Sequence, residues 1–429
     1  MSEGRTRASG SRAQACAVAR CIGAPWRMKI FASAFTASTM LVLCGCAAER
    51  LAAVPEQSTN QARVVGVSNA RFYVDREGLV PLAREAIAAN ERERAALGLA
   101  ANAPLPPANF LALSGGGDNG AFGAGLLTGW SAKGSRPTFK IVTGISTGAL
   151  SAPFAFLGPA YDPMLRDMYT QISAADVMSR PSALSAITGE SAADSSPLMH
   201  MITRYLTDDV IAGIAEQYRK GRLLLVASTN LDAGRAVIWN IGAIAASGDP
   251  NARTMIARIL LASASIPAAF PPVLFNVEVG GKTYQEMHVD GGAITQAFLY
   301  PPGLTAGTRL KRRYTAYIVR NGRLTVPWEQ VHRETLAIAG RAVSTLIAAN
   351  GFDDLYRMYA TTRRDGVGFN LAYIRDDFTV PYKGPFDPGY MNALFDYGYA
   401  QGRAGYRWDK VPPGFDDRAV VAAVTGRPR

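Results

Sequence analysis

The stretch FLALSGGGDNGAFGAGLLTGW, residues 110–130, decides the fold. Phe110 to Leu113 are continuously apolar, a buried strand, and three glycines follow Ser114. Phe122, Leu126 and Trp130 then recur at four-residue spacing, so a helix opens near Gly120. Ala121, Ala124 and Gly125 are small enough to let that helix lie close to a sheet. A strand that runs through glycines into a helix presents outward-pointing amides beside a helix N-terminus, a cradle for a phosphate or a developing oxyanion. Gly115, Gly117 and Gly120 also satisfy the G-x-G-x-x-G spacing of a dinucleotide site. That site needs an acid about 20 residues further on for the ribose hydroxyls. No Asp or Glu occurs between Asp118 and Asp162, which argues against a nucleotide.

The next apolar run, FKIVTGISTGAL (139–150), places Ser146 between Gly144 and Gly148 in a G-x-S-x-G frame, again with a strand before and a helix after. A serine at such a turn sits in a strained backbone, and the residues two before and two after must be small to avoid collision. Its hydroxyl needs a base. The chain has three histidines, His200, His288 and His332, and none lies in a recognisable triad motif. An aspartate is the alternative. EMHVDGGAITQ (286–296) puts Asp290 at a strand end, where Gly291 and Gly292 let the chain turn. A desolvated carboxylate beside the hydroxyl accepts its proton, because burial raises its basicity.

Further strands are expected at RLLLVAST (222–229), RAVIWNI (235–241) and YTAYIVR (314–320). They are almost wholly apolar, as parallel strands covered on both faces are. TDDVIAGIAEQYRKG (207–221) reads as a helix capped by Thr207 and closed by Gly221, with Val210, Ile211, Ile214 and Tyr218 as its buried stripe. LVPLAREAIAANERERAALGLA (79–100) has helical periodicity and reads as a surface helix, with APLPPANF (103–110) as a linker. Residues 180–200 are the weakest for structure and read as a flap. Strands alternating with helices mean α/β with a mainly parallel sheet.

The ordered set GGGDNG, GISTG, SASIPAAFPPV (263–273) and DGG resembles the patatin-like phospholipase family over roughly residues 108–300. The resemblance implies a three-layer α/β/α fold with a mainly parallel central sheet. It also implies a Ser–Asp dyad that needs no metal, cofactor or histidine. Carried over, Ser146 attacks the acyl ester, Asp290 is the base, and the amides of Gly115, Gly116 and Gly117 form the oxyanion hole. Gly120, Gly144, Gly148, Gly291 and Gly292 support the motifs, and SASIPAAFPP packs and positions them. The implied organisation is a catalytic core over 106–310, completed by strands and helices of 311–429 and preceded by an extension and linker over 46–105. One departure stands out: the family's usual Arg or Lys before the last glycine of the loop is Asn119 here, preceded by Asp118. The local positive charge is lost.

Two other readings remain open. Ser146, Asp290 and His332 follow the chain order of an α/β-hydrolase triad, although EQVHRETLAIAGRAV (329–343) reads as a helix carrying His332 on its surface. His288 shares a strand face with Asp290 and is confined to modulating it. The chain is otherwise a non-catalytic lipoprotein that binds a lipid.

All four cysteines, Cys16, Cys21, Cys44 and Cys46, lie in the first 46 residues. MKIFASAFTASTMLVLCGCAAER, from Met28, has a basic start, an apolar run and a small-residue cleavage context, the layout of a secretory signal within 1–45. Leu43-Cys44-Gly45-Cys46 resembles the bacterial lipobox, which implies lipidation of Cys46 and anchoring at a membrane face. Ala47 resembles the outer-membrane sorting pattern of a Gram-negative cell. The Arg-rich residues 1–27 suggest that translation starts at Met28. The formal charge is +11, and removing residues 1–45, which carry a surplus of five positive charges, leaves +6. No Lys/Arg run with interleaved aromatics is present, which sets nucleic acid aside.

Overall fold

The computed structural model describes residues 50–415, apart from 65, 68, 180–190, 192, 303–311, 326, 327 and 329. The signal and lipobox, Cys46 and much of the 180–200 segment lie outside the described residues. The strands are β1 (Arg71–Tyr73), β2 (Ala108–Leu113), β3 (Phe139–Ile145), β4 (Leu223–Asn230), β5 (Arg235–Asn240), β6 (Val273–Val279), β7 (Lys282–Asp290), β8 (Tyr314–Arg320) and β9 (Gly368–Tyr373). The longer helices are α1 (Leu79–Ala96), α2 (Gly120–Ala132), α3 (Thr147–Leu157), α4 (Asp162–Thr170), α5 (Ser196–Tyr205), α6 (Asp208–Arg219), α7 (Ala252–Ala264), α8 (Thr335–Asp365) and α9 (Pro388–Ala404).

These strands form one mixed sheet in the order β1-β5-β4-β3-β2-β8-β9, with β7 on β4 and β6 on β7. The five strands from β4 through β3, β2 and β8 to β9 are parallel. Alternate side chains serve the two faces. Leu111, Leu113, Leu224 and Val226 join the large core under α2–α7 and α9, whereas Phe110 and Ala112 face α8, and Leu223 and Leu225 face α1. The architecture is therefore helix–sheet–helix in three layers, and burial on both faces explains why the central strands are so uniformly apolar.

Two expectations change. The strand at 235–240 is antiparallel to β4, not parallel, because only four residues separate Asn230 from Arg235. A hairpin fits that length and a crossover does not. The stretch expected as a helix around His332 becomes helical only at Thr335, and His332 lies exposed in the segment before it. The helix 79–96 and β1 also do more than lead into the domain. β1 pairs with β5, and Leu82 and Ala89 of α1 are buried against the sheet.

The register of β4 sets up the site. Its first half, Leu223–Ala227, pairs with Ile141–Ile145 of β3. β3 then ends, and Ser228–Asn230 pair on with Asp290–His288 of the antiparallel β7. β3 and β7 thus approach along β4 from opposite ends. The residue after one, Ser146, meets the last residue of the other, Asp290.

Candidate active site

Ser146 is the turn between β3 and α3, with φ 54° and ψ −127°. A side chain other than glycine at positive φ is strained by roughly 1–3 kcal/mol and persists only where the surroundings fix it. Three contacts do so. The Ser146 amide donates to Ser263 Oγ at 3.0 Å, and that hydroxyl donates to the Ala227 carbonyl at 2.7 Å. The Ser146 carbonyl accepts from the Ala149 amide at 2.8 Å, starting α3. Tyr169 Oη, from α4, lies 2.7 Å from Thr147 Oγ1 and 2.8 Å from Ser151 Oγ, pinning the first turn of that helix. Gly144 and Gly148 are there because the chain doubles back. A Cβ on Gly148 would lie 2.3 Å from the Leu113 carbonyl, and one on Gly144 would lie 2.5 Å from the Gly148 carbonyl.

Ser146 and Asp290 are 6% and 3% exposed. Burial pushes the Asp290 carboxyl up from 3.8 to about 7, against the lowering influence of the Ser146 side chain and of the hydrogen bond from the Gly292 amide. The Gly292 bond measures 2.6 Å. Asp290 is also held along its backbone, its amide donating to Ser265 O at 2.8 Å and its carbonyl accepting from Thr229 Oγ1 at 3.1 Å. The SASIPAAF segment thus supplies a backbone anchor on each side, Ser263 for the elbow and Ser265 for the carboxylate. Ala264, Ile266 and Phe270 of the same segment line the apolar cavity beside Ser146.

The glycine loop needs one correction. The Gly115 amide donates to the Gln296 carbonyl at 3.0 Å, so it is engaged within the protein and does not face an oxyanion. That leaves the amides of Gly116 and Gly117 for this task. Both have positive φ, 154° and 58°, a conformation other residues adopt only under strain. Gly120 opens α2 with Thr147 Oγ1 only 2.1 Å from where a Cβ would stand. Gly291 and Gly292 form the turn after Asp290.

The histidines stand elsewhere. His288 is buried, with Nδ1 2.9 Å from Ser228 Oγ and Nε2 3.2 Å from Glu286, and burial pulls its proton affinity down. Glu286 is in turn paired with Arg71, so His288 belongs to a buried network that secures β7. His200, on α5, and His332 are exposed. Among the described residues, no histidine is hydrogen-bonded to Ser146 or Asp290.

Asn119 Oδ1 accepts from Tyr390 Oη at 2.8 Å, and the Asp118 carboxylate accepts from the Phe386 amide at 3.0 Å. The residues that replace the expected basic position therefore tie the glycine loop to the segment leading into α9. Ser263, Gln296, Tyr169 and Asn321 were not singled out by sequence reasoning. Gln296 and Ser263 lie inside the quoted motifs, but their roles are backbone contacts that no residue pattern announces.

Residues 111–299 match the family model described as Patatin-like phospholipase. That segment runs from β2 past the DGG turn and contains both Ser146 and Asp290. Among solved structures, the chain is similar to VipD from Legionella pneumophila, at 11% identity and a TM-score of 0.30, covering 69% of this chain and 66% of that one. It is also similar to the human GIVD cytosolic phospholipase A2, at 12% identity and a TM-score of 0.34, covering 78% and 56%. The type III effector protein ExoU gives 15% identity and a TM-score of 0.28, covering 70% and 53%. The chain thus spans between about half and two thirds of the length of these proteins. No curated protein matches it.

Proposed function

We propose that this protein is a serine acyl hydrolase that cleaves carboxylic esters of lipids, with Ser146 as nucleophile and Asp290 as base. The observation that carries the reading is the juxtaposition of Ser146, at a strained strand–helix elbow, with the buried Asp290 carboxylate, whose pKa is pushed up to about 7 by burial against the lowering influence of the Ser146 side chain. A carboxylate in water is too weak a base for a serine, and burial corrects this. In the first step Ser146 Oγ bonds to the ester carbonyl carbon while its proton passes to Asp290. The oxyanion turns toward the amides of Gly116 and Gly117. Collapse breaks the ester C–O bond, and the departing alcohol takes the proton from Asp290. Water then attacks the acyl-enzyme, giving its proton to Asp290, which returns it to Ser146 as the fatty acid leaves.

The acyl side is supported by the cavity at Ser146, lined by Leu150, Met168, Ile172, Met201, Phe270 and Met391 among others. At about 40 Å³ it admits only the beginning of a chain. Methionines shift readily, so the wall can yield to a longer one.

Replacement of Ser146 or Asp290 by alanine should abolish turnover of a p-nitrophenyl acyl ester with the circular dichroism spectrum unchanged, and activity retained in either variant rejects the dyad. A His332→Ala variant of full activity removes the α/β-hydrolase triad. Labelling of Ser146 by a fluorophosphonate separates an enzyme from a non-catalytic lipid binder, since only an activated serine reacts.

Export and anchoring through lipidated Cys46 belong to the same proposal, supported by the sequence from Met28 to Cys46. No helix among the described residues is long and apolar enough to cross a membrane. Radiolabelled palmitate should enter the wild-type protein and not a Cys46→Ala variant, and equal labelling of both overturns the anchor.

A further inference from the structure

A second apolar cavity lies behind the sheet, and it is much larger than the one at Ser146. Its volume is about 340 Å³, against about 40 Å³ beside the serine. Pockets that bind small molecules begin at about 300 Å³, and an apolar cavity of about 150 Å³ already takes up a small hydrocarbon. Its floor is buried: Ala227 of β4, Ala236 and Ile238 of β5, Ala297 and Leu299 of the chain after the DGG turn, and Met358 of α8.

Strand alternation gives the cavity its place. On β4, Leu224 and Val226 face the large core under α3 and α7, so Ala227 faces the other way with Leu223 and Leu225. Ile238 belongs to the small core under α1, whereas Ala297, Leu299 and Met358 belong to the one under α8. The cavity is the gap that these two cores leave on their face of the sheet. The cavity at Ser146, walled by Leu150, Phe270 and Met391, lies on the opposite face.

The mouth has a different character. Val74 and Ile294 stand there 45% and 38% exposed, two large apolar side chains left in solvent. Beside them are the guanidinium groups of Arg235 and Arg357, and among the described residues that line the cavity none is an acid. Their carboxylate partners, Asp75 for Arg235 and Asp354 for Arg357, lie outside the lining. Asp354 is shared, because it also accepts from the Thr295 hydroxyl at 2.9 Å and from the amides of Gln296 and Ala297 at 2.5 and 3.2 Å. Arg357 meets it through Nη2, and a guanidinium carries five N–H donors, so this exposed group has others to offer at the mouth.

We propose that this cavity is a second ligand site, one that takes a single-chain carboxylate, a medium-length fatty acid, with its chain on the buried floor and its carboxylate at Arg357 and Arg235. At about 30 Å³ for each water-sized group, the 340 Å³ hold on the order of ten such groups, a chain of about eight to twelve carbons. Each buried methylene is worth about fourfold in affinity, so the floor supplies most of the binding. The guanidinium pair supplies the direction, since it favours an anionic end over a neutral one. This ligand class coincides with the acid that the proposed reaction releases. The site itself uses neither Ser146 nor Asp290, so the inference goes beyond the hydrolase reading and does not depend on it.

Calorimetry of the Ser146→Ala protein with decanoate, below its micelle concentration, tests this without turnover. Decanoate should bind, butyrate at least a hundredfold more weakly, and 1-decanol about tenfold more weakly. Arg357→Gln should weaken decanoate about tenfold and leave 1-decanol unchanged, a split that a merely loosened fold does not produce. Ala236→Phe, which fills the cavity from β5, should weaken both ligands more than tenfold without lowering the melting temperature. Thr361→Met fills it from α8 and replaces Ala236→Phe should that variant fail to fold. Leu150→Phe, which narrows the cavity at Ser146, should leave the Kd of decanoate unchanged. A Kd that responds to Leu150→Phe and not to Ala236→Phe or Thr361→Met places the ligand beside the serine and overturns the proposal, as does an absence of binding. If Arg357→Gln alters decanoate and 1-decanol equally, or neither, the carboxylate assignment fails. Failure of the hydrolase reading looks different: no ester is turned over and no fluorophosphonate label appears, while decanoate still binds and still responds to Ala236→Phe.

Discussion

The Ser146 amide and the Ser263 hydroxyl are 3.0 Å apart, and the same hydroxyl reaches the Ala227 carbonyl at 2.7 Å. One side chain on α7 therefore joins the strained elbow to β4, the strand that also aligns Asp290. Ser263→Ala would leave a buried amide without a partner, at a cost of about 1–3 kcal/mol. It should also let the elbow relax. We expect a lower melting temperature together with a kcat reduced tenfold or more and a nearly unchanged KM. A fall in stability alone would show that Ser263 holds the fold but does not aim the nucleophile.

Asp290 makes opposite demands on stability and activity. Its pKa is raised by burial from 3.8 to about 7, so between about pH 4 and 7 the native protein holds a proton that the unfolded chain has released. Stability from this group is complete at acid pH and is lost as pH rises through about 7, amounting to about 4 kcal/mol if the whole difference is expressed. Asp290→Asn removes the ionisation while keeping an acceptor for Ser146 and Gly292. At pH 8 the variant should be inactive yet more stable, by on the order of 2–4 kcal/mol in chemical denaturation, with the advantage fading toward pH 4. The active form is the ionised one, so wild-type kcat/KM should rise with pH through about 7 and stand about a hundredfold below its plateau at pH 5. A flat profile from pH 5 to 8 would remove Asp290 as the base.

Much of this was legible in the sequence, and the reason is local. β2, β3, β4 and β8 lie in the middle of the sheet, so both of their faces are apolar and the runs stand out. β6 and β7 alternate with exposed polar residues such as Asn276 and Glu278, and β1 is three residues long, which leaves little signal to read. Ser146 and Asp290 stood out as candidates because the turns they occupy demand glycines at fixed offsets. Ser263 and Gln296 did not, because each acts through a contact fixed by strand register or by helix packing between residues far apart in the chain. The direction of β5 was missed for a related reason: apolarity reports burial, whereas the length of the connection decides between parallel and antiparallel.

α2, which carries the glycine loop at its start, lies against α9 with no side chains between the two backbones. A Cβ on Gly125 would stand 2.0 Å from the Phe395 carbonyl, and one on Gly129 would stand 2.1 Å from the Tyr399 carbonyl. Gly398 and Gly402 make the same approach from α9 toward Phe122 and Leu126. No rotamer relieves a clash with backbone, so Gly129→Ala has to push the helices apart, at a cost of about 2 kcal/mol or more. The expected results are a reduced denaturation midpoint and slower fluorophosphonate labelling of Ser146, since a displaced α2 moves the loop amides. Wild-type stability in Gly129→Ala would mean that the two helices are not in backbone contact.

The elbow itself can be weighed by two substitutions at one position. Ser146→Ala and Ser146→Gly both remove the hydroxyl and whatever it contributes beside Asp290, so they share every loss except one. Alanine keeps a Cβ at φ 54° and ψ −127°, where it collides with its own backbone, whereas glycine occupies that region freely. Glycine also makes the unfolded chain more flexible, which favours unfolding by about 0.4–1 kcal/mol and works against it. Strain of roughly 1–3 kcal/mol outweighs that penalty. Ser146→Gly should therefore be the more stable of the two in urea denaturation, by on the order of 1 kcal/mol, with both inactive toward any ester. Equal midpoints, or a more stable Ser146→Ala, would mean that the surrounding contacts hold this backbone at no cost and that the serine is not spring-loaded toward Asp290.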